Sequence, residues 1–306
     1  MKSQFSRTTM SFIVMLGLIY STTYQAPQPY KIKAPTQPTQ LIKGATRQTA
    51  PAIDPAKAEL RKLLGEQDYV AFVEELGKNI DDPKFMAVLK AGSGDQQKHD
   101  DVVHFDHNVS YPCSRLIPTQ SEIDVEKSLK YPLTIDSSMV LQYLKGGVFT
   151  PGGPIVTAGN KWIIDGHHRW SQLYLINPAA KISAMNMRMN DPARALKTAQ
   201  LAIAAETGHI ASSTVEGKNL FTMSKDDFAM WIRTNISQKA TDDFAKGGIN
   251  GVEAIIDHIW KNAERMKKYN QPIKGASNRG YMPQTDTASG WDTELEKGEI
   301  NVRRPL

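Results

Sequence analysis

Cysteine is almost missing from this chain: Cys113 stands alone among 306 residues. An intramolecular disulfide and a cysteine-based zinc site are therefore excluded. A single thiol beside Pro112, with nothing close in sequence to lower its pKa, reads as a core or loop residue rather than a nucleophile. Long hydrophobic runs are missing too. The one apolar stretch of note, Phe12 to Tyr20, is too short for a confident membrane span. Lys2 and Arg7 precede it and small residues follow from Ser21 to Thr23, the outline of a secretory signal without a clean A-x-A cleavage site. Charge of one sign is scarce: 37 Lys and Arg against 32 Asp and Glu leave a net charge of +5. So small an excess admits anionic partners without singling out nucleic acid. What is present, 40% hydrophobic and 23% charged residues, is the composition of a globular chain long enough to bury a sizeable core.

The chain divides by pattern. Residues 1–54 combine the signal-like segment with a Pro-, Thr- and Gln-rich linker that is expected to be disordered. Residues 55–110 are expected to form a helical extension, with apolar faces at Leu60, Leu63 and Leu64, at Tyr69, Phe72, Val73 and Leu76, and at Phe85, Met86 and Leu89. Asp81-Asp82-Pro83 opens the third of these helices. Within residues 111–205, Ser137 suits the N-cap of a short helix that Gly146-Gly147 closes. Strands are expected at Pro154 to Thr157 and Lys161 to Ile164, with Ala158-Gly159-Asn160 as a tight hairpin between them. A helix, a third strand from Lys181 to Met187 and a helix from Asp191-Pro192 to Gly208 complete a compact α+β unit around a small mixed sheet. Residues 206–270 read as a helical C-terminal region, with Ser224 and Asp227 as a capping box and a long helix from Val252 to Tyr269. The basic run on that helix, Lys261, Arg265, Lys267 and Lys268, suits a helix C-terminus. Residues 271–306, where Gly, Ser, Asn and Pro dominate, are expected to be an extended tail.

Two places carry chemistry. His99, His104 and His107 lie among acids, and a strand over Val102–Phe105 would set His104 and Asp106 on one face. Imidazole and carboxylate are good ligands for divalent ions, but the spacing matches no strong zinc pattern. The stronger place is the junction Asp165-Gly166-His167-His168-Arg169, where an apolar strand turns directly into a helix. Free backbone N–H groups and the positive end of the helix dipole meet there, which makes a ready anion site. Gly166 admits close approach of a ligand, Arg169 can fork two donors onto phosphate oxygens, and His167 and His168 add tunable donors. The plainer alternative is a tight turn with Asp165 as N-cap, exposed histidines and Arg169 paired with a nearby acid.

Gly166-His167-His168-Arg169, set between the Ile163-Ile164 strand and a helix, resembles the signature of the ParB/sulfiredoxin superfamily. Chromosome-partition proteins there carry Gly-Glu-Arg-Arg, sulfiredoxins Gly-Cys-His-Arg and free-serine kinases an Asp-Gly-His type motif. The segments Leu116 to Gln120 and Gly153 to Val156 also match the family's layout, and the resemblance spans about Ser114 to Ala205. Stand-alone domains of this kind are often described as ParB-like nucleases, many from phages and mobile elements. The resemblance implies a ParB/sulfiredoxin-like core that binds a nucleotide, ATP or CTP, with Mg²⁺, and DNA as a further partner. Gly166, His168 and Arg169 match the phosphate-binding positions, with Asp165 beside them. His167 stands where sulfiredoxins have their catalytic cysteine, and Cys113 lies far outside the motif, so sulfinic-acid reduction is not expected.

Two classes of activity follow from these residues. In the first, the site transfers or hydrolyses a phosphoryl group, with Arg169 and His168 stabilising charge and His167 as general acid or base. Glu122, in the family's opening segment, and Asp165 are then the acids expected to hold Mg²⁺; Glu122 also matches the region where serine kinases place a catalytic glutamate. In the second, the domain is a nucleotide- or DNA-binding module without turnover. A nucleotide ligand favours the cytoplasm, with export as the alternative.

Overall fold

Ile155 and Ile163 point into one apolar cluster while Val156 and Ile164 point into another. Strands buried on both faces need a helical layer on each side, and this chain supplies two. The computed structural model describes residues 55–92, 99–134, 139–210 and 217–303. The signal-like segment, the linker and Ser137 lie outside them. Among the described residues, no helix is long and apolar enough to cross a membrane.

The six strands are β1 (Phe105–Pro112), β2 (Ile117–Pro118), β3 (Val148–Phe149), β4 (Ile155–Ala158), β5 (Trp162–Asp165) and β6 (Lys181–Met187). They form one mixed sheet in the order β1-β6-β4-β5-β2, with β3 also paired to β6. β4 and β6 run parallel, whereas β4–β5 and β1–β6 are antiparallel. The β4–β5 hairpin turns through Gly159, Asn160 and Lys161; Gly159 and Asn160 have positive φ (56° and 58°), and the Lys161 N–H closes the turn on the Ala158 carbonyl at 3.1 Å. Between Val156↔Asp165 and Thr157↔Ile163 the ladder slips by one residue on β5, so the strand is bulged directly before the junction.

One helical layer is built by α4 (Val125–Thr134), α5 (Val140–Lys145), α6 (His167–Ile176), α8 (Lys225–Asn235), α9 (Gln238–Lys246) and α10 (Val252–Tyr269). The other holds α1 (Pro55–Gly65), α2 (Tyr69–Asn79), α3 (Pro83–Leu89), α7 (Pro192–Thr207) and α11 (Trp291–Lys297). The α+β reading with a small mixed sheet and flanking helices holds. The boundaries expected near residues 110, 205 and 270 fall inside a single compact unit, because the helical segments are layers on the sheet. Capping follows local chemistry: Asp68, Asp82, Asp191, Ser224 and Ser237 each accept a first-turn N–H of the helix they open. Two polar groups are held inside. Trp170 donates from Nε1 to the carbonyl of Cys113 at 2.9 Å, and the Tyr174 hydroxyl donates to Asn270 Oδ1 at 2.8 Å. Cys113 is buried, and burial pushes its thiol up, which agrees with a core residue.

Two expectations are corrected. Residues 271–303 are no extended tail. They run beside β2, with Ile273 N–H on the Pro118 carbonyl at 3.1 Å and Ser121 N–H on the Ser277 carbonyl at 2.8 Å. They continue through 3-10 turns at Arg279–Tyr281 and Thr285–Thr287 into α11, burying Met282, Trp291, Leu295, Ile300 and Val302. These apolar residues are too widely spaced to show a period, yet each fills a gap that distant elements leave. The strand expected over Val102–Phe105 begins instead at Phe105. His104 is exposed, His107 Nε2 meets Glu296 at 3.0 Å and Asp106 pairs with Arg188, so these groups do not converge.

Candidate functional site

The bulged end of β5 delivers Asp165 and Gly166 to the start of α6. Gly166 has φ +92°, and a Cβ there would lie 2.5 Å from Cγ2 of Ile155. Only glycine fits both the left-handed backbone and that approach. Gly166 is also the N-cap of α6 and offers no side chain to its first turn. The N–H groups at the start of α6 therefore receive no side-chain cap, and the positive end of the helix dipole faces a cavity of about 230 Å³.

Asp165 does not cap the helix. Its Oδ1 accepts the Gly166 N–H at 2.6 Å, and its Oδ2 accepts from Thr285, from N–H at 3.2 Å and from the hydroxyl at 2.5 Å. Both oxygens are thus committed within the protein, and Asp165 ties the C-terminal segment to the junction. Arg169 crosses under the Gly152-Gly153 turn. It donates from Nη1 to the Pro154 carbonyl at 3.1 Å, while Nη2 lies 3.7 Å from Asp165 Oδ2. Three-quarters of its side chain is covered, yet it still lines the cavity.

The two histidines are not exposed donors. His167 is 3% exposed and its Nε2 accepts the Thr119 N–H at 3.2 Å. Burial, reinforced by Arg169, pushes its pKa down to about 3. A neutral ring whose Nε2 lone pair is engaged carries its proton on Nδ1 and ties the residue that follows β2 to α6. Of the two nitrogens through which the general acid–base role expected for His167 would act, Nε2 is engaged by Thr119. His168 is held alike: Nε2 accepts the Asp124 N–H at 3.2 Å, and burial, then Arg279, push its pKa down to about 3. Its ring lines the junction cavity and a smaller neighbour of about 70 Å³.

Glu122 belongs to that smaller cavity. Its Oε2 is buried and has no hydrogen-bond partner among the described residues, although Asp124, His168 and Arg279 line the same space. Gln120 stands between the two cavities, its Nε2 donating to the Glu122 carbonyl. Glu122 and Asp165 therefore line different cavities that share Gln120, His168 and Arg279. Among the described residues no group of three or more His, Cys, Asp or Glu is arranged to hold a metal ion. Asp165 and Glu122, the acids expected to hold Mg²⁺ together, thus line separate cavities, and both oxygens of Asp165 already accept from protein donors.

Arg279 is the residue that sequence reasoning missed. It arrives from the segment expected to be an extended tail, lines both cavities, and carries a buried Nη1 with no hydrogen-bond partner among the described residues. Its only signal in the sequence is the turn chemistry around it, Asn278 before and Gly280 after. Asp286 adds a second carboxylate to the larger cavity. No protein-family model matches this chain, and no curated protein or solved structure matches it either.

Proposed function

We propose that the chain binds a phosphate ester across the N-terminus of α6 and transfers or hydrolyses its phosphoryl group. The ligand class is a nucleotide, ATP or CTP, or a nucleic-acid phosphate. One observation carries the reading: an uncapped helix N-terminus and the guanidinium groups of Arg169 and Arg279 line one cavity, and a buried, unpartnered carboxylate oxygen lines its neighbour. The helix end and the two arginines supply the positive field that a phosphoryl group needs.

Glu122 takes the role of general base. Its free Oε2 accepts the proton of a water or a small hydroxyl acceptor in the smaller cavity as that oxygen bonds to phosphorus. The P–O bond to the nucleoside diphosphate or ester oxygen breaks, and the leaving oxygen departs as an anion or takes a proton from solvent. Arg169 and Arg279 hold the charge that develops on the phosphoryl oxygens. His168, neutral and between the two cavities, positions the acceptor side through its bond to Asp124. Mg²⁺ enters this scheme only on the phosphates of the nucleotide itself, as it commonly does with few protein ligands. The resemblance of Gly166 to Arg169 to the ParB/sulfiredoxin signature supports the same anion site, for a ParB-like nuclease, a nucleotide hydrolase or a small-molecule kinase. A nucleotide ligand carries a cytoplasmic location with it.

A second reading, a nucleotide- or DNA-binding module without turnover, draws on the two imidazoles whose Nε2 atoms are already occupied. One experiment separates the readings: ATP, CTP and plasmid DNA incubated with the full chain, with and without Mg²⁺, following binding and product together. Arg169→Ala is expected to weaken binding by about tenfold or more, and Glu122→Gln to abolish turnover while binding persists. Binding without turnover by the wild type would establish the module instead. If none of the three ligands binds, both readings fail.

A further inference from the structure

Cations gather a second time, on the opposite helical layer. The end of β6, the first turns of α7 and the end of the described chain enclose a cavity of about 460 Å³, within the range of small-molecule sites. Arg188, Arg194, Arg303, His104 and Thr198 line it, and Asp100 is the one carboxylate among the lining residues. The three guanidinium groups are not equally occupied. Arg188 is paired, its Nε and Nη2 donating to Asp106 Oδ1 at 2.8 and 2.6 Å. Among the described residues the Arg194 guanidinium hydrogen-bonds to carbonyls, Leu64 through Nη1 at 3.2 Å and Val302 through Nη2 at 2.6 Å. Those bonds fix its plane, and its charge is only partly offset, by Asp101 and Asp191, which are themselves engaged by the backbone N–H groups of Val302, Arg303 and Arg194. Arg303 is held at the rim by its backbone N–H on Asp101 Oδ1 at 2.8 Å, and its side chain makes no ion pair with a described residue. Like charges together are an arrangement that an anion relieves: burial, then Arg303, hold Arg194 below the usual guanidinium value even though Asp101 and Asp191 act the other way.

A second observation points to the same ligand. Thr198 is fully buried in α7, and its Oγ1 has no hydrogen-bond partner among the described residues. A threonine inside a helix ordinarily turns its hydroxyl back onto a carbonyl of the preceding turn. Here the donor is left open in a residue that lines the cavity. Buried polar groups find partners, in the protein or outside it.

We propose that this cavity is a second anion site, for a small ligand bearing a phosphate or diphosphate group. Arg303 and Arg194 supply the charge, and the Thr198 hydroxyl supplies a directed donor. The site is separate from the junction at α6 and stands whether or not that junction binds a nucleotide. Phosphate chemistry is offered both by free inorganic anions and by organic esters, so three probes are needed: inorganic phosphate, inorganic pyrophosphate and ribose 5-phosphate.

The test is isothermal titration of the full chain at low ionic strength, in an Arg169→Ala, Arg279→Ala background that removes the junction's arginines. One equivalent of at least one probe is expected to bind. Arg303→Glu should weaken it about tenfold or more, and Thr198→Val by roughly threefold. The relative affinities of ribose 5-phosphate and the inorganic probes identify the source. Arg303 is exposed and the Thr198 hydroxyl has no partner to lose, so both variants are expected to keep the thermal midpoint of the background. Hydrogen exchange on the wild-type chain gives a reading free of the background changes, with ligand-dependent protection expected over α7. Failure of all three probes to bind, affinity retained within twofold in either variant, or unchanged exchange in α7 would overturn the proposal.

Discussion

Helices α6 and α7 both start just after a strand of the same sheet, and an aspartate stands at each start. Their N-termini are nonetheless finished in opposite ways. Asp191 is the N-cap of α7: its Oδ1 accepts the Arg194 N–H at 3.1 Å, Pro192 follows, and Gln67 donates to Oδ2 at 2.9 Å. That helix end is closed. At α6 the aspartate stands one residue further from the helix, and Gly166 takes the cap position. Asp165 then spends its oxygens on Gly166 and Thr285, and the first turn of α6 stays open toward a cavity. The same residue type closes one helix N-terminus and leaves the other without a side-chain cap, and a single position along the chain makes the difference.

The contrast is sharpest at the glycine. Gly166→Ala forces a positive φ on alanine and drives its Cβ into Ile155, so a loss of about 3 kcal/mol in urea unfolding is expected. Gly208→Ala at the far end of α7 is the control. It shares the positive φ but meets nothing within 4 Å, so about 1 kcal/mol is expected. Equal losses would remove the packing argument for the junction.

Acid is the next lever, and it acts on α6 through its histidines. Unfolded histidine titrates near 6.5, whereas His167 and His168 are pushed down to about 3. Between those values the unfolded chain binds more protons. Stability is therefore full above pH 6.5 and falls as pH drops through the window, by up to about 1.4 kcal/mol per pH unit for each histidine. Unfolding free energy measured at pH 7.5, 6 and 5 should show this slope, and His167→Asn should reduce it. A flat profile would mean that the rings are not held neutral.

The smallest effect belongs to the closed helix. Asp191→Ala removes the cap of α7 and should cost about 1 kcal/mol in urea unfolding. Affinity for a phosphate ligand at α6 should stay within twofold. If affinity fell with the cap, the two helix ends would not be independent.

Much of this was legible beforehand. The hairpin at Gly159-Asn160, the strand-to-helix turn at Asp165-Gly166, the Asp191-Pro192 start and the capping box at Ser224 and Asp227 are all short-range chemistry. Each can be read because the residues that decide it are neighbours. Arg279 escaped because nothing near it in sequence marks it: it reaches the site only after the chain has passed β2 and turned back. The segment from 271 onward escaped for a related reason, since its apolar residues fill gaps left by remote elements and keep no period of their own. The pairing of Glu122 with Asp165 as metal ligands also needed a distance that sequence cannot supply, and Gln120 and His168 stand between their cavities.

The sequence by itself determined that a glycine would sit at the start of α6, with Arg169 within the first turn. Steric limits on φ and helical periodicity act over a few residues, so that much is local. The tertiary structure alone decided what the junction is. Thr119 and Asp124 engage the two imidazoles from more than forty positions away, Thr285 claims Asp165 from 120 positions away, and Arg279 completes the cavity. Protonation, free donors and enclosed volume follow from burial, and burial is set by whichever distant segments the fold brings together.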